Sequence, residues 1–187
     1  MIDPLIVGIS GATGAIYGIE ALRALKKLNY PTHLIISEMG KRTIDIETDY
    51  SIEEVRALAE ITYSNKDLAA AVSSGSFKTM GMLIAPCSIK TLSGIANSFS
   101  HNLIIRAADV ILKERRPLVL MVRETPLHKG HLKAMIKTAD LGAIIHPPVP
   151  AFYNKPNSIE EIVNQSIGRA LDHLGIKHEI MKRWKGE

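Results

Sequence analysis

The sequence is poor in cysteine and in aromatic residues. Its 187 residues include one cysteine, Cys87, so an internal disulfide is excluded and a reducing compartment is expected. Aromatic residues make up only 5% of the chain, which predicts an aliphatic core. No apolar stretch approaches the roughly 18 residues of a membrane span. The first residues also lack the basic start of a signal peptide, so we expect a cytoplasmic protein with no membrane partner.

Charge and histidine placement argue against nucleic-acid and metal sites. The formal net charge is only +4. A solvated tail explains the basic residues near the C-terminus, Lys182, Arg183 and Lys185, better than a nucleic-acid surface does. His128 and His131 are three residues apart, yet no third ligand lies nearby in the sequence. We therefore predict no metal and no nucleic-acid partner.

Apolar runs alternate with helical patterns along almost the whole chain. Several runs are continuous, which is typical of strands covered on both faces. The predicted strands are Leu5–Ile9, Thr32–Ile36, Met82–Ala85, Leu118–Val122 and Ala143–Ile145. The predicted helices are Ala15–Leu28, Ile52–Ala59, Leu92–Ala96, Leu103–Lys113, Leu132–Ala139 and Ile159–Leu174. We predict a single domain over residues 1–187 with a doubly wound, mostly parallel sheet, in a three-layer α/β/α fold of the flavodoxin or Rossmann type.

A glycine-rich segment, Gly8–Gly14, joins the first predicted strand to the first helix. Glycines allow a tight turn and close approach to a ligand, and the free N–H groups of the following helix favour an anion. Ser10 and Thr13 add hydroxyl groups. The pattern G-x-x-G-x-x-G matches neither the dinucleotide fingerprint nor a P-loop. We favour a phosphate at this turn over an ordinary turn that binds nothing.

Polar side chains also follow the other predicted strands, where parallel sheets bind ligands. Ser37 follows the second strand, the segment Pro86–Thr91 the third, and Arg123 with Glu124 the fourth. Ser88, Lys90 and Thr91 could contact an anion or merely cap a helix. Arg123 could bind an anion or form a structural ion pair with Glu124, and we favour the anion. We interpret Cys87 as a buried structural residue.

The predicted helix Leu103–Lys113 carries cationic residues whose role the pattern leaves open. Arg106 and Lys113 share one helix face with Asp109, which fits an intrahelical ion network and a ligand site equally well.

The last predicted helix begins with a capping box, Ser158 with Glu161, and ends before Gly175. Arg169 lies well off its apolar stripe, so its side chain points to solvent or to another subunit.

Several segments of the chain occur together in one known family. They are Gly11–Gly14, Pro86–Ser88, Arg106–Val110, Lys113–Leu118, Arg123–Pro126, Phe152–Tyr153 and Arg169. In this combination the chain resembles the UbiX-type flavin prenyltransferases over nearly its whole length. The resemblance implies a flavodoxin-like fold that binds reduced FMN as a substrate, without a metal. It further implies transfer of a dimethylallyl group from dimethylallyl monophosphate to N5 and C6 of the flavin.

The resemblance also assigns residue roles, position by position. The implied FMN ligands are Gly11, Ala12, Thr13, Ser37, Ser88, Ile89, Lys90, Thr91 and Arg123. The implied ligands of the dimethylallyl phosphate are Tyr153, Arg169, Lys113 and Arg106. The implied catalytic residues are Glu124, Thr13 and Lys113. Family members form homo-oligomers, often dodecamers, with sites between subunits, and their product serves UbiD-type decarboxylases of aromatic acids.

The chain departs from the family pattern at two places, and three rival functions remain. Many relatives have serine at Thr13, and some carry a tryptophan in the loop that reads Asp67–Ala71 here. The rivals are an FMN-dependent decarboxylase of aromatic acids or peptidyl cysteine, an NAD(P)-dependent reductase, and a flavin carrier without catalysis. No tyrosine is followed four residues later by lysine, which disfavours the reductase.

Overall fold

A six-stranded, fully parallel sheet forms the centre of the molecule. The computed structural model describes residues 2–184 and 186, so Lys185 of the predicted basic tail lies outside the described residues. The strands are β1 (Leu5–Ile9), β2 (Thr32–Ile36), β3 (Ile61–Ser64), β4 (Gly81–Cys87), β5 (Leu118–Val122) and β6 (Ile144–Ile145). Their spatial order is β3-β2-β1-β4-β5-β6. The doubly wound parallel sheet predicted from the sequence is confirmed.

The helices that connect these strands form a layer on each face of the sheet. They are α1 (Ala15–Lys27), α2 (Glu38–Glu47), α3 (Ile52–Arg56), α4 (Ile89–Ala96), α5 (Leu103–Lys113), α6 (Lys129–Asp140) and α7 (Ile159–His173). A short 3-10 turn spans Ala71–Ser73. Helices α1, α2, α3 and α7 contribute to one core cluster, and α4, α5 and α6 pack around the other.

Strand β1 shows why its residues are apolar throughout. It pairs with β2 on one side and β4 on the other, and all five of its residues are buried. Leu5, Val7 and Ile9 belong to the α1/α7 core, whereas Ile6 belongs to the α4/α5 core. A strand covered on both faces has no polar side to present, so its sequence is continuous rather than alternating.

Two elements were absent from the sequence prediction, and both lie at the margin of the fold. Helix α2 buries only Gly40 and Ile44, so few apolar residues mark it in the sequence. Strand β3 is one of the two edge strands, and its residues are mostly exposed, so it carries no apolar run. The predicted bounds of β1, β2, β5 and α5 are confirmed to the residue.

The ends of α7 follow the predicted signals only in part. The Ser158 hydroxyl accepts a hydrogen bond from the Glu161 N–H at 3.1 Å, as a capping box requires. The Glu161 carboxylate, however, accepts from the Asn157 N–H instead of returning to Ser158. Gly175 adopts a left-handed conformation with φ of 71° and ends the helix as predicted.

No helix among residues 2–184 and 186 is both long and apolar enough to cross a membrane.

Gly18 marks the closest contact between α1 and the sheet. A Cβ atom at this position would lie 2.3 Å from the Ala85 carbonyl oxygen and 2.8 Å from an Ile9 side-chain carbon. Alanine in a helix is ordinarily favoured over glycine by about 1 kcal/mol. Here we expect Gly18→Ala to lower the free energy of unfolding by about 1–3 kcal/mol, because neither the backbone nor the buried core can yield.

Urea denaturation measures this effect. Lys27→Ala at the exposed end of the same helix is the control and should change stability little. A Gly18→Ala protein as stable as the control would contradict the tight packing.

Candidate active site

The sheet reverses its winding between β1 and β4, and a cavity opens at the carboxyl ends of these strands. Its volume is about 550 Å³, within the range of small-molecule sites. Four of the residues that line it lie one or two positions after four different strands: Gly11, Ser37, Ser88 and Glu124. The structure thereby brings together side chains that are far apart in the sequence.

Three helix N-termini meet at this cavity, those of α2, α4 and α5. Their N-cap residues all line it: Ser37 accepts from the Gly40 N–H at 2.9 Å, Ser88 from the Thr91 N–H at 3.3 Å, and Asn102 from the Ile105 N–H at 3.0 Å. The first N–H groups of α2 and α4 have no helical acceptors, and the helix dipole makes these two ends positive. At α5, Asn65 takes them: its carbonyl oxygen accepts from the Leu103 N–H at 2.9 Å and its Oδ1 from the Ile104 N–H at 3.0 Å. The cavity is therefore suited to an anionic ligand.

Two lysines at the cavity wall strengthen its preference for an anionic ligand. Lys66 and Lys90 line the wall, as does Glu38. Glu38 forms an ion pair with Lys41 at 2.9 Å, and the hydrogen bond from Lys41 lowers the pKa of its carboxyl group. Glu124 also lines the cavity, and its Oε1 accepts from the Thr125 N–H at 3.1 Å. Its carboxylate is exposed and stands beside the ligand space.

Gly11 permits the glycine loop to touch α2. A Cβ atom here would lie 2.3 Å from the Met39 Cβ, and Met39 lines the cavity. Any larger residue would push the loop and α2 apart, so the glycine sets the width of the cavity at this point.

At the N-terminus of α1, where the sequence predicts a phosphate, the structure places a side chain of the protein itself. The Glu47 carboxylate of α2 accepts hydrogen bonds from the Gly14 N–H at 2.7 Å and from the Ala15 N–H at 3.1 Å. This side chain supplies the negative charge that the helix dipole favours. Gly14 takes a left-handed conformation with φ of 93°, which suits glycine and directs both N–H groups to Glu47.

Ser10 is also placed differently from the expectation. Its side chain is buried, donates to the Pro86 carbonyl oxygen at 2.8 Å, and accepts from the Ser88 N–H at 2.8 Å. The hydroxyl therefore joins β1 to the turn after β4 and does not face a ligand. Thr13, by contrast, is exposed beside Gly11.

A second group of predicted residues lies on and around α7, outside the set that lines the cavity. The Tyr153 hydroxyl accepts from Gln165 Nε2 at 3.1 Å, and its ring meets Trp184 edge-on at a centroid distance of 5.6 Å. Arg169 donates to Asp172 at 2.8 Å. The only tryptophan, distant in sequence from the loop where relatives carry one, thus lies against a predicted substrate ligand.

Arg123 belongs to the same region through its neighbour Tyr17. Burial raises the pKa of Tyr17, and the positive charge of Arg123 opposes this shift, which places the guanidinium near the phenol. Burial likewise lowers the pKa of His146, with Arg169 and His173 adding to the effect. Arg123 therefore lies near Tyr17, and Arg169 lies near His146.

Arg106 and Lys113 do not reach the cavity of their own protomer. Arg106 donates to the Ser73 carbonyl oxygen at 3.2 Å and to Asp109 at 3.1 Å, on the outer side of α5. Lys113 lies at the opposite end of that helix, about 16 Å along its axis from the cavity, and pairs with Glu114. The predicted network of Arg106, Asp109 and Lys113 is only half formed.

Sequence reasoning missed several cavity residues, namely Glu38, Met39, Asn65, Lys66, His101 and Asn102. They follow β3 or begin α2 and α5, and β3 and α2 were not predicted. A serine before an acidic residue, Ser37 before Glu38, is an N-terminal helix signal that could have located α2. Glu47 carries no local signal, because its partners are 32 and 33 residues away in the sequence.

Cys87 is a structural residue, as predicted. It is fully buried, and burial raises the pKa of its thiol to about 12, so it is not a nucleophile at neutral pH. Among the residues that the structure describes, no three His, Cys, Asp or Glu side chains are grouped to hold a metal ion.

Comparison with known proteins identifies the family. The Flavoprotein family matches residues 2–171. The flavin prenyltransferase UbiX of Escherichia coli K12 is 55% identical over 185 residues, which cover 97% of this chain and 98% of that protein. The chain belongs to the UbiX family of flavin prenyltransferases.

Solved structures of UbiX relatives share the whole fold. AnUbiX (PadA1), crystallised with FMN and dimethylallyl pyrophosphate, superposes with a TM-score of 0.98 at 49% identity, and the match covers all of both chains. A dodecameric FMN-dependent UbiX-like decarboxylase from Escherichia coli O157:H7 has a TM-score of 0.96 at 47% identity. That match covers 98% of this chain and all of the other.

We expect Glu47 to hold the glycine loop through its contact with the N-terminus of α1. Glu47→Gln keeps an acceptor oxygen but removes the charge, and should lower the free energy of unfolding by about 0.5–1 kcal/mol. Glu47→Ala removes both and should cost about 1–2 kcal/mol. Chemical denaturation at low ionic strength measures both variants.

Glu20→Gln is the matched control, since Glu20 pairs with Arg23 within α1 and lies away from the ends of that helix. Equal effects for Glu47→Gln and Glu20→Gln would refute a specific role at the helix end.

Proposed function

We propose that this protein transfers a dimethylallyl group from dimethylallyl monophosphate to N5 and C6 of reduced FMN, with release of phosphate. One observation carries the proposal beyond family membership: the N-termini of α2 and α4 open into one cavity, and a separate cation, Arg169, lies with Tyr153 around α7. Two phosphate groups, one on each substrate, need two such positive regions.

The residues present fit FMN. The cavity is wide enough for a flavin nucleotide, and its helix N-termini match a single phosphate monoester. The close contact of Gly11 with Met39 leaves a narrow slot in which backbone can approach a flat ring. In this assignment Ser37 and the segment Ser88–Thr91, which includes Ile89 and Lys90, hold the phosphate.

The remaining loop residues orient the flavin. When bound and reduced, FMN supplies the nucleophilic N5 and C6 atoms. Gly11, Ala12 and Thr13 lie along its ring system, and Arg123 contributes a cation from the end of β5. In this assignment the Thr13 hydroxyl, exposed in the loop whose Gly11 lines the cavity, and the Glu124 carboxylate in the cavity wall hold and move protons.

Tyr153 and Arg169 hold the phosphate of the second substrate. Negative charge grows on this phosphate as its ester bond breaks, and preorganised cations stabilise that charge electrostatically. A monophosphate needs fewer compensating charges than a pyrophosphate, so arginines and a lysine replace a metal in this assignment. Trp184 against Tyr153 provides an apolar surface for the dimethylallyl group.

A neighbouring protomer supplies Lys113 and Arg106 in this proposal. Both side chains lie on the outer side of α5 and do not reach the cavity of their own protomer. The dodecameric relative supports a homo-oligomer, which we propose is also a dodecamer. The released prenylated flavin then serves a UbiD-type decarboxylase in the cytoplasm.

A mass measurement tests the reaction. Purified protein is incubated anaerobically with reduced FMN and dimethylallyl monophosphate, and the released flavin is weighed by mass spectrometry. We expect a flavin heavier by one prenyl unit. Unchanged FMN would contradict the proposal, and flavin retained without change would indicate a carrier.

Decarboxylation is the second candidate, because the dodecameric relative is named a decarboxylase. The same reaction is therefore run with an aromatic acid in place of dimethylallyl monophosphate. We expect no carbon dioxide from the protein alone, and its release would favour the decarboxylase.

Subunit complementation tests the origin of Lys113. Lys113→Ala and Arg169→Ala should each abolish turnover while leaving FMN bound. Co-expression of the two should produce mixed oligomers in which about a quarter of the sites carry neither change, if each site draws its two residues from different protomers. Activity is measured as prenylated flavin formed per FMN bound.

The control pairs Arg169→Ala with Tyr153→Phe, two changes on the same protomer's side of the site. This mixture would contain intact sites only if Tyr153 and Arg169 came from different protomers. We assign both residues to one protomer, so we expect no recovery of activity. Recovery in the control, or none in the first mixture, would refute the assignment.

A further inference from the structure

Asp172 is the centre of an ion cluster at the end of α7. Its Oδ2 accepts from Arg169 at 2.8 Å and from Arg183 at 3.0 Å. Its Oδ1 accepts from Arg183 at 2.8 Å, and His178 Nε2 lies 3.2 Å from the same oxygen. One carboxylate thus joins α7 to the segment that follows it.

The environment of Asp172 holds the carboxylate in one position. Only 20% of its side chain is exposed, and Arg183 binds both oxygens in a two-pronged contact. His178 is buried and also bonds the Gly168 carbonyl oxygen at 2.8 Å. Hydrogen bonding from Arg183 lowers the pKa of Asp172, so the carboxylate stays charged at neutral pH.

Arg169 needs such a fixed partner. Half of its side chain is exposed, and an exposed pair three residues apart on a helix ordinarily contributes little. Here Arg183 and His178 already hold the Asp172 carboxylate in place, so fixing one N–H of Arg169 to it costs little additional entropy. A guanidinium has five N–H donors, which leaves four for a ligand.

The cluster retains positive charge. Two guanidinium groups face one carboxylate, so Asp172 orients Arg169 without cancelling the charge available to an anion. Arg23 and Glu20 on α1 form an ion pair with the same three-residue spacing, but no second arginine among the described residues pairs with the Glu20 carboxylate. This pair is therefore a comparison for the pair of Arg169 with Asp172.

The segment that carries Arg183 also supports Tyr153. Asn154 Nδ2 donates to Gln165 Oε1 at 2.8 Å and to the Lys182 carbonyl oxygen at 3.1 Å. Gln165 in turn donates to the Tyr153 hydroxyl. Tyr153 and Arg169 are therefore braced by one stretch of chain.

We infer that Asp172 is a positioning residue for the phosphate ester: it orients the Arg169 guanidinium and, through Arg183, secures the chain segment behind Tyr153. This inference rests on the proposed function, since Arg169 is assigned there to the phosphate of the second substrate.

The first measurement is substrate affinity. Dimethylallyl monophosphate is titrated calorimetrically into the complex with oxidised FMN, where no transfer can occur. We expect Asp172→Asn to weaken this binding at least tenfold while changing FMN affinity less than twofold. Glu20→Gln, which removes a carboxylate from a pair of the same spacing, should change neither. Asp172→Glu should recover part of the loss.

A double-mutant cycle separates positioning from general destabilisation. If Asp172 acts through Arg169, Asp172→Asn should have no further effect on binding in the Arg169→Ala background. Additive losses would overturn the inference. An equal loss of FMN affinity would do the same, because it would indicate damage to the fold.

Arg183→Gln provides a second route if Asp172→Asn is too unstable to purify. It keeps the contact of Arg169 with Asp172 but releases the carboxylate from the following segment, and should weaken the ester severalfold. Unchanged binding in this variant would overturn the inference.

Inorganic phosphate is titrated as a second probe. Coupling between Asp172 and Arg169 in phosphate binding, without prenylated flavin from the unmodified protein, would leave the positioning role standing and refute the proposed reaction. Absence of this coupling, together with normal formation of prenylated flavin, would overturn the positioning role and leave the proposed reaction standing.

Discussion

The site depends on the parallel pairing of β1 with β4 at the centre of the sheet. Their register, from Leu5 opposite Gly81 to Gly8 opposite Ile84, brings the glycine loop and the turn after β4 to the same edge. The buried Ser10 hydroxyl then bonds both the carbonyl of Pro86 and the N–H of Ser88, which fixes the two turns to each other. A shift of one residue would move every side chain of β1 to the opposite core, so the apolar packing enforces the register.

Helix N-termini divide into two classes around this edge. Those of α1 and α5 are satisfied within the chain by Glu47 and Asn65, whereas those of α2 and α4 open into the cavity. These internal acceptors remove two competing anion sites, so the preference for an anion is concentrated on the N-termini of α2 and α4. A second division separates this region from the arginines near α7, where Asp172 and Arg183 brace Arg169 without neutralising it.

Much of this could be predicted from local patterns. Continuous apolar runs identified the central strands, and N-cap residues such as Ser88 marked a helix that starts at the sheet edge. The edge elements β3 and α2 could not be found in this way, because few of their side chains are buried. The cavity residues that follow or begin those elements were missed for the same reason, among them Lys66 and Met39.

The amino-acid sequence by itself determined the alternation of strands and helices, the aliphatic core and the family pattern, because these depend on residue type and short spacing. Only the tertiary structure decided which polar groups meet. It assigned Glu47 rather than a ligand to α1, placed Trp184 against Tyr153, and set Lys113 far from the cavity of its own protomer. These contacts join residues distant in sequence, and their partners are chosen by the packing of whole elements.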